Sequence, residues 1–173
     1  MPRKKLTQAE RQERIEYIKR LIKCAESGDS DCQNLLGTNL ATGGFYVVHQ
    51  DEEGAVYWYA QAVKNGNIDA KWNVATMIEK GEGGLKPNIP YALMLMDLAA
   101  REGETTADLF LSDLYREGYY GIEIDLAKSE MYRKMHDEAR EQPEYDLGQP
   151  VDIEKDLGLV LKKPVVGFID HPG

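Results

Sequence analysis

Three glycines, Gly28, Gly66 and Gly103, stand 38 and 37 residues apart, and the residues around them repeat in step. A period of that size constrains the fold strongly. Each unit is too short to bury an apolar face alone, so successive units must stack. Four residues after each glycine comes a small residue, Cys32, Ala70 or Ala107. An aliphatic residue and a very small one follow as Leu36-Gly37, Val74-Ala75 and Leu111-Ser112, and then Leu40, Ile78 or Tyr115. A second glycine comes next (Gly43, Gly81, Gly118), and after it a residue suited to capping a helix, Asp51, Asn88 or Asp125.

Each unit reads as a pair of helices. Leu36 with Leu40, and Val74 with Ile78, fall at i and i+4, one stripe of a 3.6-residue period. The glycines stand where a helix ends in a left-handed residue, and Asp, Asn or Thr just downstream is expected to cap the next helix. Pro90 falls in the first turn after Asn88, where its missing N–H costs little. Gly37, Ala75 and Ser112 leave room for close approach by a neighbouring helix, and Ala62, Ala99 and Ala100 supply small partners. The fold expected is all-α: a right-handed α-solenoid of about three helix-pair repeats, with an N-terminal capping helix and an irregular C-terminal tail.

These landmarks carry a family resemblance. The pattern A-x-x-x-L-G-x-x-Y-x-x-G, followed by D-x-x-x-A-x-x-W-Y-x-x-A-A-x-x-G, resembles the Sel-like repeat, a relative of the tetratricopeptide repeat. The first unit matches at Leu36-Gly37, Gly43, Asp51, Ala55, Trp58-Tyr59, Ala62 and Gly66. The second matches at Ala70, Gly81, Ala92, Ala99-Ala100 and Gly103, with Leu95-Met96 in place of Trp-Tyr. The third matches at Ala107, Leu111, Tyr115, Gly118, Asp125 and Met131-Tyr132, and lacks a clean Ala-Ala and Gly close. The resemblance covers roughly residues 28–140 and implies an adaptor or assembly module that binds proteins.

The flanks differ. Residues 1–27 read as a capping helix opening on the capping box Thr7-Gln8-Ala9-Glu10, with Ile15, Ile18, Ile22 and Ala25 as its stripe. Residues 141–173 hold four prolines, no repeat landmark and two apolar patches, at 157–161 and 165–169. This tail is expected to fold back over the open last repeat, or to help grip a partner.

Catalytic chemistry is sparse. His49, His136 and His171 have no neighbours at metal-ligand spacing, and no metal, cofactor or catalytic residue is expected. No G-x-S-x-G, P-loop or G-x-G-x-x-G occurs, and Gly81-Glu82-Gly83-Gly84 reads as a turn between helices. Cys24 and Cys32, without a C-x-x-C, read as reduced, buried thiols in a reducing compartment. Sel-like repeat proteins linked to penicillin binding carry cysteine pairs in their repeats, and these two cysteines do not read as such a pair. No apolar run approaches ~20 residues, and the basic N-terminus lacks the apolar stretch of a secretory signal, so a cytoplasmic protein is expected.

Charge points to the class of partner. Residues 1–30 carry a balance of +3, residues 31–140 of -8 and residues 141–173 of -4, for a net charge of -9. An acidic body disfavours nucleic acid, whose binding is driven by Lys and Arg, and favours a basic protein steered by the field. The candidate binding residues are the loop aromatics Phe45, Tyr46, Tyr119 and Tyr120, either exposed anchors or plugs between units, with the acidic run Asp51, Glu52 and Glu53. Trp58, Tyr59 and Trp72 lie at helical repeat positions and read as core. The expected function is non-enzymatic protein binding. An immunity-type inhibitor of a basic bacterial toxin leads, an adaptor in a signalling or secretion assembly is the alternative, and a hydrolase trails both. Membrane binding is not expected, and oligomeric state is left open.

Overall fold

The computed structural model describes residues 6–138 and 150–169, with Phe45 described in its backbone alone. Among these residues eight α-helices run in chain order: α1 (Gln8–Glu26), α2 (Ser30–Thr42), α3 (Glu52–Lys64), α4 (Ile68–Lys80), α5 (Ile89–Arg101), α6 (Thr105–Glu117), α7 (Leu126–Asp137) and α8 (Ile153–Leu157). Among the described residues the β structure is one antiparallel bridge, Val48 to Phe168. The three expected pairs are therefore α2–α3, α4–α5 and α6–α7. Two compact units divide the chain, Met1–Gly66 with Ile153–Gly173 and Asn67–Asp152.

In the first unit α1 opens as its sequence dictates, with Thr7 accepting from the Glu10 amide and Glu10 reaching back to the Thr7 amide. Its buried stripe is Ile18, Leu21 and Ala25; Ile15 and Ile22 are half-buried, so Leu21 supplies contact that the expected stripe omitted. Asp29 caps α2, and Gly43 ends it in the left-handed conformation at φ 68°. Gly37 is needed for close approach: a Cβ there would lie 2.7 Å from Cδ1 of Tyr59 on α3. Gln33 on α2 donates to the Ala25 carbonyl at 3.1 Å and accepts from Asn65 at 2.9 Å, which ties three helix ends together.

Two expectations for this unit are corrected. Cys24 and Cys32 form a disulfide and are half-buried, so they are neither free thiols nor an unpaired set. The turn through Gly28 folds the end of α1 onto the start of α2 and sets their Cα atoms 5.8 Å apart, within bridging range. The tail, too, goes elsewhere. Ile153 of α8 is buried, α8 packs on α3, and residues 158–169 run back to residues 47–48, so the described part of the tail covers the first repeat. The part of it from 141 to 149 lies outside the described residues.

In the second unit Asn67, Asn88 and Asp125 cap α4, α5 and α7. Helix α6 is capped by Glu104, whose carboxylate accepts from the Thr106 amide, so Thr105 begins the helix and does not cap it. Val74, Ile78, Leu95, Met96, Leu111 and Leu114 form the core. Trp72, expected in the core, is half-buried and meets Phe110 edge-on at 5.6 Å. Ser112 meets Ser129 at 3.2 Å, so the small residue of α6 also brings α7 close. Lys71 of α4 pairs with Glu102 at the end of α5, both side chains almost wholly buried. Tyr132 donates to Asp97, which also accepts from Arg101, and stacks on Tyr115 at 5.8 Å.

Candidate functional site

Each loop between paired helices has its own content. In the first repeat, Gly43 leads into a 3-10 turn, Gly44–Tyr46. Val47 and Val48 then turn inward and are fully buried, which leaves Tyr46 outside at φ 60°. In the third repeat, Gly118 leads into the turn Tyr119–Gly121, and Tyr120 has φ 59°. Tyr46, Tyr119 and Tyr120 keep 57%, 52% and 46% of their surface exposed. The middle loop carries no aromatic; its Leu85 is buried.

A left-handed tyrosine costs about 1–2 kcal/mol that glycine does not pay. These two are the non-glycine residues with positive φ in the described chain. Tyr120 is further fixed by its hydroxyl, which donates to Glu79 on α4. That bond first, then partial burial and the nearby carboxylate charge, push its pKa up to about 12. Ile124 and Leu126, also exposed, extend the apolar surface of this loop.

The acidic candidates have local duties as well. Asp51 caps α3 by accepting from the Gly54 amide at 2.9 Å. Glu52 and Glu53 lie exposed in the first turn, where negative charge favours the helix dipole. Glu52 also accepts from Gln50 at 3.2 Å. Tyr46, Asp51, Glu52 and Glu53 belong to one unit and Tyr119 and Tyr120 to the other. The side chain of Phe45 lies outside the described residues.

Of the histidines, His49 is exposed and His136 meets the Thr105 carbonyl at 3.2 Å, while His171 lies outside the described residues. Cys24, Asp29 and Cys32 come together, but their sulfurs are bonded to each other and Asp29 caps α2. Sequence reasoning missed the groove beneath the tail, built by Ile22, Glu26 and Trp58 with Lys163, Pro164, Val165 and Val166. Trp58 is buried, as its helical position predicts, but nothing in its spacing announces a covering segment more than 100 residues away.

The model of the Sel1 repeat matches residues 30–67 and 68–104. No curated protein matches the chain significantly. Among solved structures, the Sel1 repeat protein from Oxalobacter formigenes shares 27% identity at a TM-score of 0.65, over 74% of this chain. The present chain spans 50% of that protein's length. A protective antigen with an SLR fold, c5321 of uropathogenic Escherichia coli, is 22% identical at a TM-score of 0.47, over 69% of this chain and 32% of its own. Sel1 repeats serve as protein-interaction modules and are typically non-enzymatic. The two matched segments coincide with α2–α3 and α4–α5, so the fold is all-α and residues 30–104 match two tandem Sel1 repeats.

Proposed function

We propose that this chain is a non-enzymatic protein-binding module whose anchors are the exposed tyrosines of its first and third loops, and that it neutralises one basic partner in the manner of an immunity protein. One observation carries the reading. In the corresponding loops of two repeats the chain holds a tyrosine in a backbone conformation that costs free energy and leaves about half of its surface exposed. Rigid, amphipathic aromatics of this kind anchor interfaces. The net charge of -9 supports a basic partner.

The test is a tagged pull-down eluted in steps of rising salt, repeated with Tyr46→Ala and with Tyr119→Ala plus Tyr120→Ala. A single stoichiometric basic protein, weakened by these substitutions at unchanged melting temperature and blocked in its toxicity, supports the inhibitor. Several partners released by modest salt support an adaptor instead. Binding that ignores the substitutions removes the tyrosines from the site.

Location belongs to the proposal too. No described helix is long and apolar enough to cross a membrane. The Cys24–Cys32 bridge fits an oxidising compartment better than the cytoplasm expected from the sequence. Alkylation of thiols in intact cells decides between them: two modified cysteines mean a reducing compartment, none an oxidising one.

A further inference from the structure

The tail is held firmly at one end and lightly along the rest. Ile153 is buried and fixes α8 against the first unit. Gly158, at φ 62° and with open space around it, turns the chain away from that anchor. Beyond it, residues 159–169 run extended with one side toward α1 and α3, yet none of the inward side chains (Leu159, Leu161, Pro164, Val166, Phe168) is fully buried. Val160 and Val165 on the outward side are 89% and 93% exposed.

The bonds along this strap are few. His49 donates to the Gly167 carbonyl at 2.9 Å and Ile169 to the Val47 carbonyl at 3.0 Å, which makes a short antiparallel pairing. Lys163 donates to Glu26 at 2.6 Å in an exposed pair and lies 6.0 Å over the Trp58 ring. Pro164 sits on Gly54, where a Cβ would come within 2.8 Å of its ring. Beneath lies a cleft of about 370 Å³, lined by Ile22, Glu26, Trp58 and strap residues 163–166. The indole N–H of Trp58 is buried without a hydrogen-bond partner.

A segment that pairs its backbone with an open edge, sets proline on glycine and a cation over an aromatic ring, and leaves the cleft unfilled has the attributes of a bound peptide. We propose that residues 159–169 are a self-ligand in a peptide-binding groove of α1, α3 and the 47–49 edge. In trans the groove takes an extended segment of the same chemistry: a lysine beside Glu26 and over Trp58, then proline and β-branched residues, antiparallel to the edge. The strap thereby competes with the partner. This rests on the reading of the chain as a protein-binding module; the groove shares residues 47–49 with the first tyrosine loop, but no tyrosine lines it.

The test uses the full chain with Val166→Asp and Phe168→Asp, which loosens the strap from its own side, and a fluorescent peptide of residues 157–169. Binding at least tenfold tighter than to the unaltered chain, weakened tenfold by adding Glu26→Lys, is the expected result. A variant that keeps its helix content and exchanges the His49 amide rapidly, yet binds no peptide, overturns the proposal. So does a concentration-dependent dimer of the unaltered chain by light scattering, since the strap would then be exchanged between copies. Should the double variant lose its helices, amide exchange at His49 and Ile169 replaces it. Glu26→Lys or Lys163→Glu alone must speed exchange several-fold and the two together restore it, and no change in either single variant refutes the self-ligand. Failure in these assays leaves the module reading intact, because that reading is judged by partner capture through the tyrosines.

Discussion

Tyr46 and Tyr120 occupy backbone conformations that glycine adopts freely. For Tyr46 the side chain is exposed, so Tyr46→Gly relieves about 1 kcal/mol of strain and gives part of it back through a more flexible unfolded chain. Chemical denaturation is expected to find stability unchanged or raised by up to about 1 kcal/mol, together with weaker partner binding. A loss of 2 kcal/mol or more would show instead that the ring supports the fold. Tyr120→Gly discards the bond to Glu79 and is expected to cost stability. The tyrosines' place in loops was legible from the glycines before them, but their left-handed backbone was not, since that conformation is signalled by Gly or Asn and almost never by an aromatic. Caps were more readable: Asp51, Asn88 and Asp125 each sit where the spacing put them. At α6 the rule that favours Ser, Thr, Asp and Asn missed Glu104, whose longer carboxylate reaches the same amides.

The helix pairs follow from the period, yet the polar contacts that lock the second pair internally and join it to the third do not. Lys71 and Glu102 are buried together at the ends of α4 and α5. Removing one charge strands the other, so Glu102→Gln is expected to cost roughly 3 kcal/mol in urea denaturation, and Lys71→Met with Glu102→Leu much less. Tyr132 is governed by burial first and by its bond to Asp97 second, and both raise its pKa above 10.0. A raised tyrosine value means the folded chain holds that proton more tightly than the unfolded chain does. Its contribution is complete below about pH 10 and fades as pH climbs through the folded value. Tyr120 behaves alike, its contribution fading between pH 10 and about 12. Melting curves from pH 8 to 12 are expected to fall above pH 10, and less steeply with Tyr132→Phe. Neither network was readable, because Lys71 and Glu102 are 31 residues apart and Tyr132 and Asp97 35, with ordinary surface-type residues between.

Across the molecule, the charge of -9 sets how the chain meets a partner. If that partner is basic, its association rate should fall by at least about tenfold between low and high salt in stopped-flow measurements, with dissociation changing less. An unchanged rate would remove charge as the basis of selection. The disulfide and the destination of the tail were the two misreadings on this scale. Both depend on where the chain turns back: Cys24 and Cys32 belong to different helices, and the apolar patches of the tail do not encode which repeat they will meet. The first unit is assembled from both ends of the described chain, with the whole second unit inserted between Gly66 and Ile153. During synthesis, then, α1, α2 and α3 emerge well before the segment that covers Trp58. At roughly 5–20 residues per second the 86 intervening residues take on the order of 4–17 s. Throughout that interval the newborn first repeat stands with its groove open, and whatever extended segment is nearby reaches it before its own strap has been made.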